Sequence, residues 1–255
     1  MQYFCTHTAF NSVCLPVCGG ARLLWSWWGT ETELTMADKR YSDPEIGQYA
    51  SSPCYARELS PEYGGQSEPG EAWSEVLRWR KAERQRLIEE RLAVDAEERN
   101  AKSGRIASRL DTTVGKVSGR IVSGYWPFRG EPDLRNWSIK VIERGGRIAL
   151  PVVIRKGWPL EFRVWRPGDP LERGVWNILV PSRGPPVLPD IVIAPVVGFD
   201  EANYRLGYGG GFFDRTLAAM PRRPLVVGVG YAGSRLRTIH PQPHDIPMDL
   251  VVTDD

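Results

Sequence analysis

The stretch DIVIAPVVGFDEANYRLGYGGGFFDR, residues 190–215, carries the clearest signal for a fold class. Its first ten residues are a continuous apolar run, typical of a strand that is covered on both faces by other elements. Three successive glycines follow at 209–211, and residues 212–220 have the pattern of a short helix. The order of strand, glycine loop and helix favours an α/β protein with a largely parallel sheet.

The same alternation extends outward over the rest of the chain from residue 71. We predict helices over residues 71–93, 96–110, 134–144 and 212–220, with Asp95 as the N-cap of the second helix. We predict strands over residues 120–124, 147–153, 160–165, 190–199, 224–231 and 249–254. Polar segments follow three of these strands, at the sheet edge where α/β proteins bind their ligands.

Composition limits the function classes. The chain has 255 residues, of which 42% are hydrophobic and 25% are charged, so a disordered chain is excluded. The net charge of +2 gives no general attraction for nucleic acids or membranes, so we expect neither as a partner. All four cysteines lie within the first 54 residues, which favours a reducing cytoplasm over a disulfide-built fold.

Residues 1–70 lack a sustained apolar period and predict a flexible N-terminal arm before a folded domain over residues 71–255. Met36 is a candidate true start, which would make residues 1–35 a mis-assigned extension.

The glycine loop is suited to an anion. Its glycines, Gly207, Gly209, Gly210 and Gly211, allow successive backbone N–H groups to converge, and the following helix adds its positive end. Arg205 and Arg215 flank the loop, so we expect a phosphate there. The alternative is a tight strand-to-helix turn in which glycine only relieves steric crowding.

Two arginines lie on the predicted buried stripe of the first helix. The stripe comprises Trp73, Leu77, Arg80, Arg84 and Leu87, spaced three and four residues apart. A buried guanidinium needs a partner, so Arg80 and Arg84 meet either a ligand anion or acidic side chains. The helix pattern favours neither alternative.

Several further residues are candidates for ligand contacts. Asp214, one turn into the last helix, either caps local N–H groups or holds a metal, and Asp249 would share Mg²⁺ with it if the last strand adjoins the loop. Glu131, among aromatic residues, suits a planar heterocycle with ring N–H groups. The alternative for that segment is a helix start with Pro132 in the first helical position. Trp176 is a candidate wall of the site or a packing residue.

Three motifs carry a resemblance to a known family. GYWPFRGEPDL (124–134), IVIAPVVGFDEANYRLGYGGGFFDR (191–215) and MDLVVTD (248–254), in this order after a basic helix, resemble the 5-formyltetrahydrofolate cyclo-ligase family, also called methenyltetrahydrofolate synthetases. The resemblance implies a three-layer fold similar to sugar-phosphate isomerases and CoA transferases. It also implies conversion of 5-formyltetrahydrofolate to 5,10-methenyltetrahydrofolate, with ATP and Mg²⁺ required and ADP and phosphate released.

The resemblance also implies roles for individual residues. It assigns catalytic roles to Arg205 and Asp214, and metal binding to Asp214 and Asp249. It assigns substrate contacts to Trp126, Glu131 and Phe212. The residues that it assigns to the nucleotide are Arg80, Arg84, Gly207, Tyr208, Gly209, Gly210, Gly211, Phe212 and Phe213. Phe212 and Phe213 occupy positions that are usually tyrosines, so stacking is retained and both hydroxyls are lost. An arginine at position 80 replaces the usual lysine, which keeps the charge and changes its reach.

These expectations describe a monomeric cytoplasmic enzyme that acts on 5-formyltetrahydrofolate, with or without a polyglutamate tail. The Phe212 and Phe213 replacements leave open a folate- or nucleotide-binding protein without turnover. A sugar-phosphate isomerase-like enzyme that needs no ATP is a third possibility.

Overall fold

The computed structural model of the chain describes residues 71–255. The helices are α1 (Glu71–Ala93), α2 (Ala96–Val114), α3 (Arg135–Glu143) and α4 (Phe212–Ala219). The strands are β1 (Ile121–Ser123), β2 (Arg147–Val152), β3 (Glu161–Trp165), β4 (Leu171–Arg173), β5 (Leu179–Pro181), β6 (Pro186–Val187), β7 (Ile191–Pro195), β8 (Gly198–Asp200), β9 (Arg205–Leu206), β10 (Leu225–Val229), β11 (Arg235–Leu236) and β12 (Leu250–Val252). The predictions for the arm, Met36 and the cysteines lie outside the described residues.

The helices begin and end for reasons that are visible in the sequence. The bounds of α1 match the prediction, and the Asp95 side chain caps α2 by accepting a 2.8 Å hydrogen bond from the Glu98 N–H. Helix α3 begins only after Leu134, close to the predicted start at 134, so the alternative in which Pro132 occupies its first position is wrong. The Asp133 carboxylate instead accepts from the N–H of Arg135, at 3.0 Å, just before the helix.

A seven-stranded sheet in the order β12-β10-β7-β1-β2-β3-β6 forms the centre of the domain. The strands from β12 to β2 are parallel to one another, and the last two pairings, β2 with β3 and β3 with β6, are antiparallel. The prediction of a largely parallel sheet flanked by helices is therefore confirmed. The antiparallel pair occupies one edge, where no helical crossover is needed.

Helices cover both faces of this sheet. On one face, α2 and α3 pack against it through residues that are almost fully buried, among them Ile106, Leu110, Trp137 and Val141. On the other face, Leu217 of α4 packs with Val226 of the sheet. Burial on both faces explains why the central strands are continuous apolar runs.

The apolar run over residues 190–199 forms two strands rather than the single one predicted. Strand β7 ends at Pro195, and β8 belongs to a separate small sheet of order β11-β8-β9. Asp200 closes the β8–β9 hairpin, because its carboxylate accepts from the N–H groups of Ala202 (3.1 Å) and Tyr204 (3.0 Å). The hairpin returns the chain to the end of β7, where the Val197 N–H donates to the Leu206 carbonyl at 2.9 Å. It thereby delivers the glycine loop to the carboxyl end of the sheet.

Within residues 71–255, no helix combines the length and apolarity that crossing a bilayer would require.

Candidate functional site

Polar segments after three parallel strands meet at the carboxyl end of the sheet. The buried side chain of Arg91, on α1, joins two of them by donating to the carbonyls of Arg129 (2.9 Å), after β1, and Val196 (3.4 Å), after β7. The Tyr231 hydroxyl, after β10, donates to the Gly130 carbonyl at 3.0 Å. The three segments that the strand pattern singled out are therefore in contact.

The glycine loop, residues 207–211, adopts a backbone that ordinary residues rarely take. Gly209 has φ +93° and Gly211, the residue before α4, has φ +59°. None of the N–H groups of these five half-buried residues donates to another residue of the described part of the chain. Unpaired N–H groups next to a helix N-terminus are the arrangement that binds anions in proteins.

Arg84 lies against this loop. Its Nε donates to the Gly207 carbonyl oxygen at 2.7 Å, and a Cβ atom placed on Gly209 would lie 3.4 Å from the Arg84 Cζ. The absence of side chains on the loop therefore lets the guanidinium approach the backbone. Of the two arginines predicted to face the loop, this one does so.

A second guanidinium, from Arg215 on α4, borders the other side of the loop. It donates to the Gly210 carbonyl, and a Cβ on Gly211 would lie only 2.9 Å from its Nη1. The guanidinium also lies 5.5 Å from the centre of the Phe212 ring. Burial lowers the pKa of Arg215, although a guanidinium remains charged at neutral pH. Two positive charges thus border the unpaired N–H groups.

Arg80 has a different environment from Arg84. It forms a buried ion pair with Asp245 at 2.5 Å and donates to the carbonyls of Ile239 (2.9 Å) and His240 (2.8 Å). This is the internal ion pair that the helix pattern left open as an alternative. A nucleotide contact from Arg80 stays a prediction, and its recorded partners argue for a structural role.

Arg205 and Asp214 form a second buried ion pair below the loop. Their Nη2 and Oδ1 atoms lie 2.7 Å apart, with 4% and 18% of the respective side chains exposed. Asp214 Oδ1 also accepts from the Ile246 N–H at 3.1 Å, and the Arg205 guanidinium lies 5.3 Å from the Phe213 ring centre. Arg205 is therefore paired with the first turn of α4 instead of standing free beside the loop.

Asp249 is engaged at the other edge of the sheet. Its Oδ2 accepts from the Val226 N–H at 2.7 Å and its Oδ1 from Arg223 Nη2 at 3.1 Å. It precedes β12, which runs parallel to β10, so it lies at the amino ends of these strands. A Mg²⁺ shared by Asp249 and Asp214 stays a prediction; Asp214 accepts from the Ile246 N–H, three residues before Asp249. Across residues 71–255, no group of three or more His, Cys, Asp or Glu residues is placed to hold a metal ion.

Glu131 lies beneath the turn that follows β1. Only 7% of the residue is exposed, and its Oε2 accepts from the Phe128 N–H at 3.0 Å. Burial raises the pKa of this carboxyl to about 7, and the positive charge of Arg91 partly opposes the increase. A carboxyl group in this environment can exchange its present hydrogen bonds for those of a ligand with N–H donors.

Tyr208 joins the glycine loop to Glu131. Its backbone lies within the loop, whereas its hydroxyl accepts from Arg91 Nη2 at 2.6 Å and lies beside Glu131, whose negative charge contributes to the raised pKa of this phenol. Its ring centre is 5.7 Å from that of Phe128. The sequence placed Tyr208 with the nucleotide contacts, and its side chain instead points to the Glu131 side of the site.

The aromatic candidates separate into two positions. The Trp176 ring lies edge-on to Phe212, with ring centres 5.9 Å apart, and its Cη2 would be 3.7 Å from a Cβ on Gly210. Trp176 therefore borders the glycine loop. Trp126 packs edge-on against Trp165 at 5.9 Å and beside the core, so its contact with a substrate stays a prediction.

Arg91 is the residue of the site that the sequence analysis missed. It lies four positions after Leu87 and so continues the buried stripe of α1, which was the available signal. Two cavities of about 350 and 470 Å³ lie elsewhere, one beside Gly146 and Trp165 and one beside Arg109 and Val251.

Residues 76–254 match the sequence model of the 5-formyltetrahydrofolate cyclo-ligase family. The chain belongs to this family. The cyclo-ligase of Mycolicibacterium smegmatis is 33% identical over 149 residues, which cover 54% of this chain and 75% of that protein. The cyclo-ligase of Escherichia coli K12 is 30% identical over 174 residues, which cover 66% of this chain and 96% of that protein.

Solved structures of 5,10-methenyltetrahydrofolate synthetases have the same fold. The structure from Aquifex aeolicus superposes with a TM-score of 0.60 at 29% identity, covering 69% of this chain and 89% of that one. The structure from Mycoplasma pneumoniae gives a TM-score of 0.56 at 22% identity, covering 69% and 99%. The family that the sequence motifs resembled is thus confirmed, and the cyclo-ligase family is one of enzymes.

Proposed function

We propose that this chain catalyses the ATP-dependent cyclisation of 5-formyltetrahydrofolate to 5,10-methenyltetrahydrofolate, with release of ADP and phosphate. The observation that carries the proposal is the glycine loop, whose five N–H groups have no acceptor among residues 71–255. Arg84 and Arg215 border this loop, and Tyr208 belongs both to it and to the Glu131 site. One part suits a polyphosphate and the other suits a heterocycle with N–H donors, and they are adjacent. Family membership and the names of the relatives support the same reaction.

The chemistry explains why a phosphate site is needed. The oxygen of an N-formyl group is a poor leaving group, so ring closure by the N10 amine requires that it be activated. The formyl oxygen attacks the γ-phosphorus of ATP, ADP leaves, and an iminium phosphate forms on N5. N10 then attacks the formyl carbon and gives up its proton to a phosphate oxygen, and the carbon–oxygen bond breaks with release of inorganic phosphate.

The contribution of the protein to these steps is positioning and charge neutralisation. The N–H groups of residues 207–211, together with Arg84 and Arg215, would hold the phosphates, while Glu131 would accept hydrogen bonds from the pterin ring. Trp176 and Phe212 lie over the glycine loop, where they would exclude water from the reacting phosphoryl group. Catalytic roles for Arg205 and Asp214 are part of the proposal, with Arg205 acting through its ion pair.

Magnesium fits one of the two predicted carboxylates. Asp214 Oδ1 is paired with Arg205, and no described residue is recorded as bonding Oδ2, so one oxygen is available beside the loop. Mg²⁺ commonly binds one or two carboxylates together with phosphate oxygens and water, so Asp214 with the ATP phosphates would suffice. The ion would neutralise charge on the transferred phosphoryl group. Both oxygens of Asp249 have protein partners, so a contribution from Asp249 to the same ion requires that it exchange one of them for the metal.

We propose a monomeric cytoplasmic enzyme with folate as its small-molecule partner and no role for nucleic acid or membranes. The near-neutral balance of 33 basic and 31 acidic residues supports the absence of polyanionic partners. The preceding 70 residues are proposed to be an arm outside the catalytic domain.

The test is an absorbance assay for the methenyl product, with 5-formyltetrahydrofolate and either MgATP, ATP with a chelator, or Mg²⁺ alone. We expect product only with MgATP and one phosphate released for each methenyl group formed. Binding of both ligands without product would identify the non-catalytic binding protein that the Phe212 and Phe213 replacements suggest. Product formation without ATP would overturn the mechanism.

A further inference from the structure

Tyr208 belongs to both halves of the site. Its neighbours Gly207 and Gly209 form the part of the loop that Arg84 contacts, through a 2.7 Å hydrogen bond and a close approach at Gly209. A displacement of the Tyr208 backbone would therefore move the N–H groups of the loop relative to this guanidinium. The side chain extends in the other direction, towards the segment after β1.

The hydroxyl of Tyr208 is held at the junction of three groups. It accepts from Arg91 at 2.6 Å, lies 3.4 Å from the Phe128 carbonyl and lies beside Glu131, whose pKa it lowers. A phenol has one proton to donate, so Glu131 and the Phe128 carbonyl compete for it. When N–H groups of a pterin ring bind Glu131, that carboxylate would no longer compete for the Tyr208 proton, and the position of the Tyr208 hydroxyl would change.

Arg91 makes the junction rigid. Its guanidinium is buried, donates to two backbone carbonyls on separate segments and also lies 5.9 Å from the Tyr208 ring centre. Because Arg91 is held in place, a ligand that binds Glu131 would affect the position of the Tyr208 hydroxyl directly, instead of being absorbed by movement of the Arg91 side chain. The neighbouring ring of Phe128 restricts the phenol from a further side.

We propose that Tyr208 is a positioning residue that couples occupation of the glycine loop by a nucleotide to occupation of the Glu131 site by folate. The inference rests on the proposed function, because it assigns those two ligands to the two halves. Folate bound at Glu131 fixes the carboxylate, Arg91 and the phenol, so the loop is already ordered when the nucleotide binds. Each ligand then tightens the binding of the other by the same factor.

The experiment measures this factor with ligands that do not react. The Kd of MgADP is determined by calorimetry with and without saturating 5-formyltetrahydrofolate, for wild type, Tyr208→Phe and Tyr204→Phe. Tyr204 is the matched control, because it lies four residues earlier and no described residue is recorded as hydrogen-bonding its hydroxyl. We expect folate to lower the Kd by about fivefold or more in wild type and in Tyr204→Phe, as is typical of coupled sites. In Tyr208→Phe the ratio should fall to near one.

A second measurement separates coupling from a purely structural role. The neighbouring Tyr208 hydroxyl lowers the pKa of Glu131, so its removal should move the acid limb of 5-formyltetrahydrofolate binding to higher pH. A lower melting temperature for Tyr208→Phe with an unchanged Kd ratio and pH profile would show that the residue is structural and overturn the inference.

Two other outcomes are distinguishable. A wild type that binds both ligands and forms product, but shows no effect of folate on the Kd of MgADP, would overturn the coupling and leave the proposed function intact. A wild type that binds neither ligand would overturn the proposed function and the inference with it.

Discussion

The Nε atom of Arg84 donates to the carbonyl oxygen of Gly207 at 2.7 Å, although 123 positions separate the two residues in the chain. This contact brings the first helix of the domain to the glycine loop and places a positive charge beside unpaired N–H groups. The first helix is therefore part of the proposed phosphate site.

Replacing Arg84 by methionine should weaken ATP binding. The loss of a charged hydrogen-bond donor to phosphate is worth about 1.5–3 kcal/mol, so KM for ATP should rise by roughly 10- to 150-fold. Steady-state kinetics with varied ATP at saturating folate measures the change.

Arg86→Met is the matched control for this prediction. Arg86 lies on the exposed side of the same helix, paired with Glu83 and Glu90, and should leave KM unchanged. An equal effect of both substitutions would assign the result to α1 as a whole instead of to the loop contact.

Variants of the Arg205–Asp214 ion pair distinguish an effect on stability from an effect on catalysis. Asp214→Ala leaves the Arg205 guanidinium, only 4% exposed, without its partner, and the free energy of unfolding should fall by about 3 kcal/mol. Replacing both residues, as Arg205→Met with Asp214→Leu, should restore most of that stability because no unpaired charge remains. Activity should stay absent in both variants if Asp214 binds Mg²⁺.

Urea unfolding and the product assay together test this prediction. A double variant that regains activity along with stability would show that Asp214 acts only through the fold.

The raised pKa of Glu131 predicts a specific pH dependence of stability. The folded pKa of about 7 exceeds the ordinary value of 4.5, so the folded state holds the proton more tightly than the unfolded chain. The stabilisation is complete below about pH 4.5 and is lost as pH rises through 7. Between pH 5 and pH 8 the wild type should lose about 2.5 kcal/mol relative to Glu131→Gln, which does not titrate.

Unfolding in urea at these two pH values measures the difference directly. A constant offset between wild type and Glu131→Gln across the range would mean that the carboxyl is already ionised at pH 5.

Gly209 and Gly207 form a matched pair for testing the loop backbone. Gly209→Ala introduces a Cβ at φ +93°, 3.4 Å from the Arg84 Cζ, so it should cost about 1–3 kcal/mol and raise KM for ATP. A Cβ on Gly207 meets no atom within 4 Å, so Gly207→Ala should have the smaller effect on the free energy of unfolding and on KM. The reverse order would show that the loop adopts another backbone when it binds ATP.

Local patterns were sufficient for most of the fold. Helix α1 and the Asp95 cap follow from side-chain spacing and capping chemistry, which depend on neighbours in sequence. The division of residues 190–199 between two sheets was missed, because an apolar run does not reveal where a chain leaves one sheet for another. Short strands such as β6 and β9 have two residues each, too few for any period.

The sequence identified most residues of the candidate site, but it did not identify the residues that they contact. The glycine loop and Glu131 were identified from residue type, whereas the partner of Arg80 is Asp245, 165 positions away, which no helix pattern specifies. The direction of the Tyr208 side chain likewise depends on Arg91 and Phe128, which only the tertiary structure brings to the loop. Sequence spacing thus identified candidates, and folding determined their pairing.

The five amides of the glycine loop, which donate to no other residue within 71–255, give the protein a built-in reporter. Their protons should exchange rapidly with deuterated solvent while those of the adjoining parallel strands remain protected. A bound polyphosphate would accept hydrogen bonds from them and slow that exchange in one short peptide. Occupancy of the site can therefore be followed by hydrogen–deuterium exchange mass spectrometry without a covalent probe, a substrate analogue or turnover.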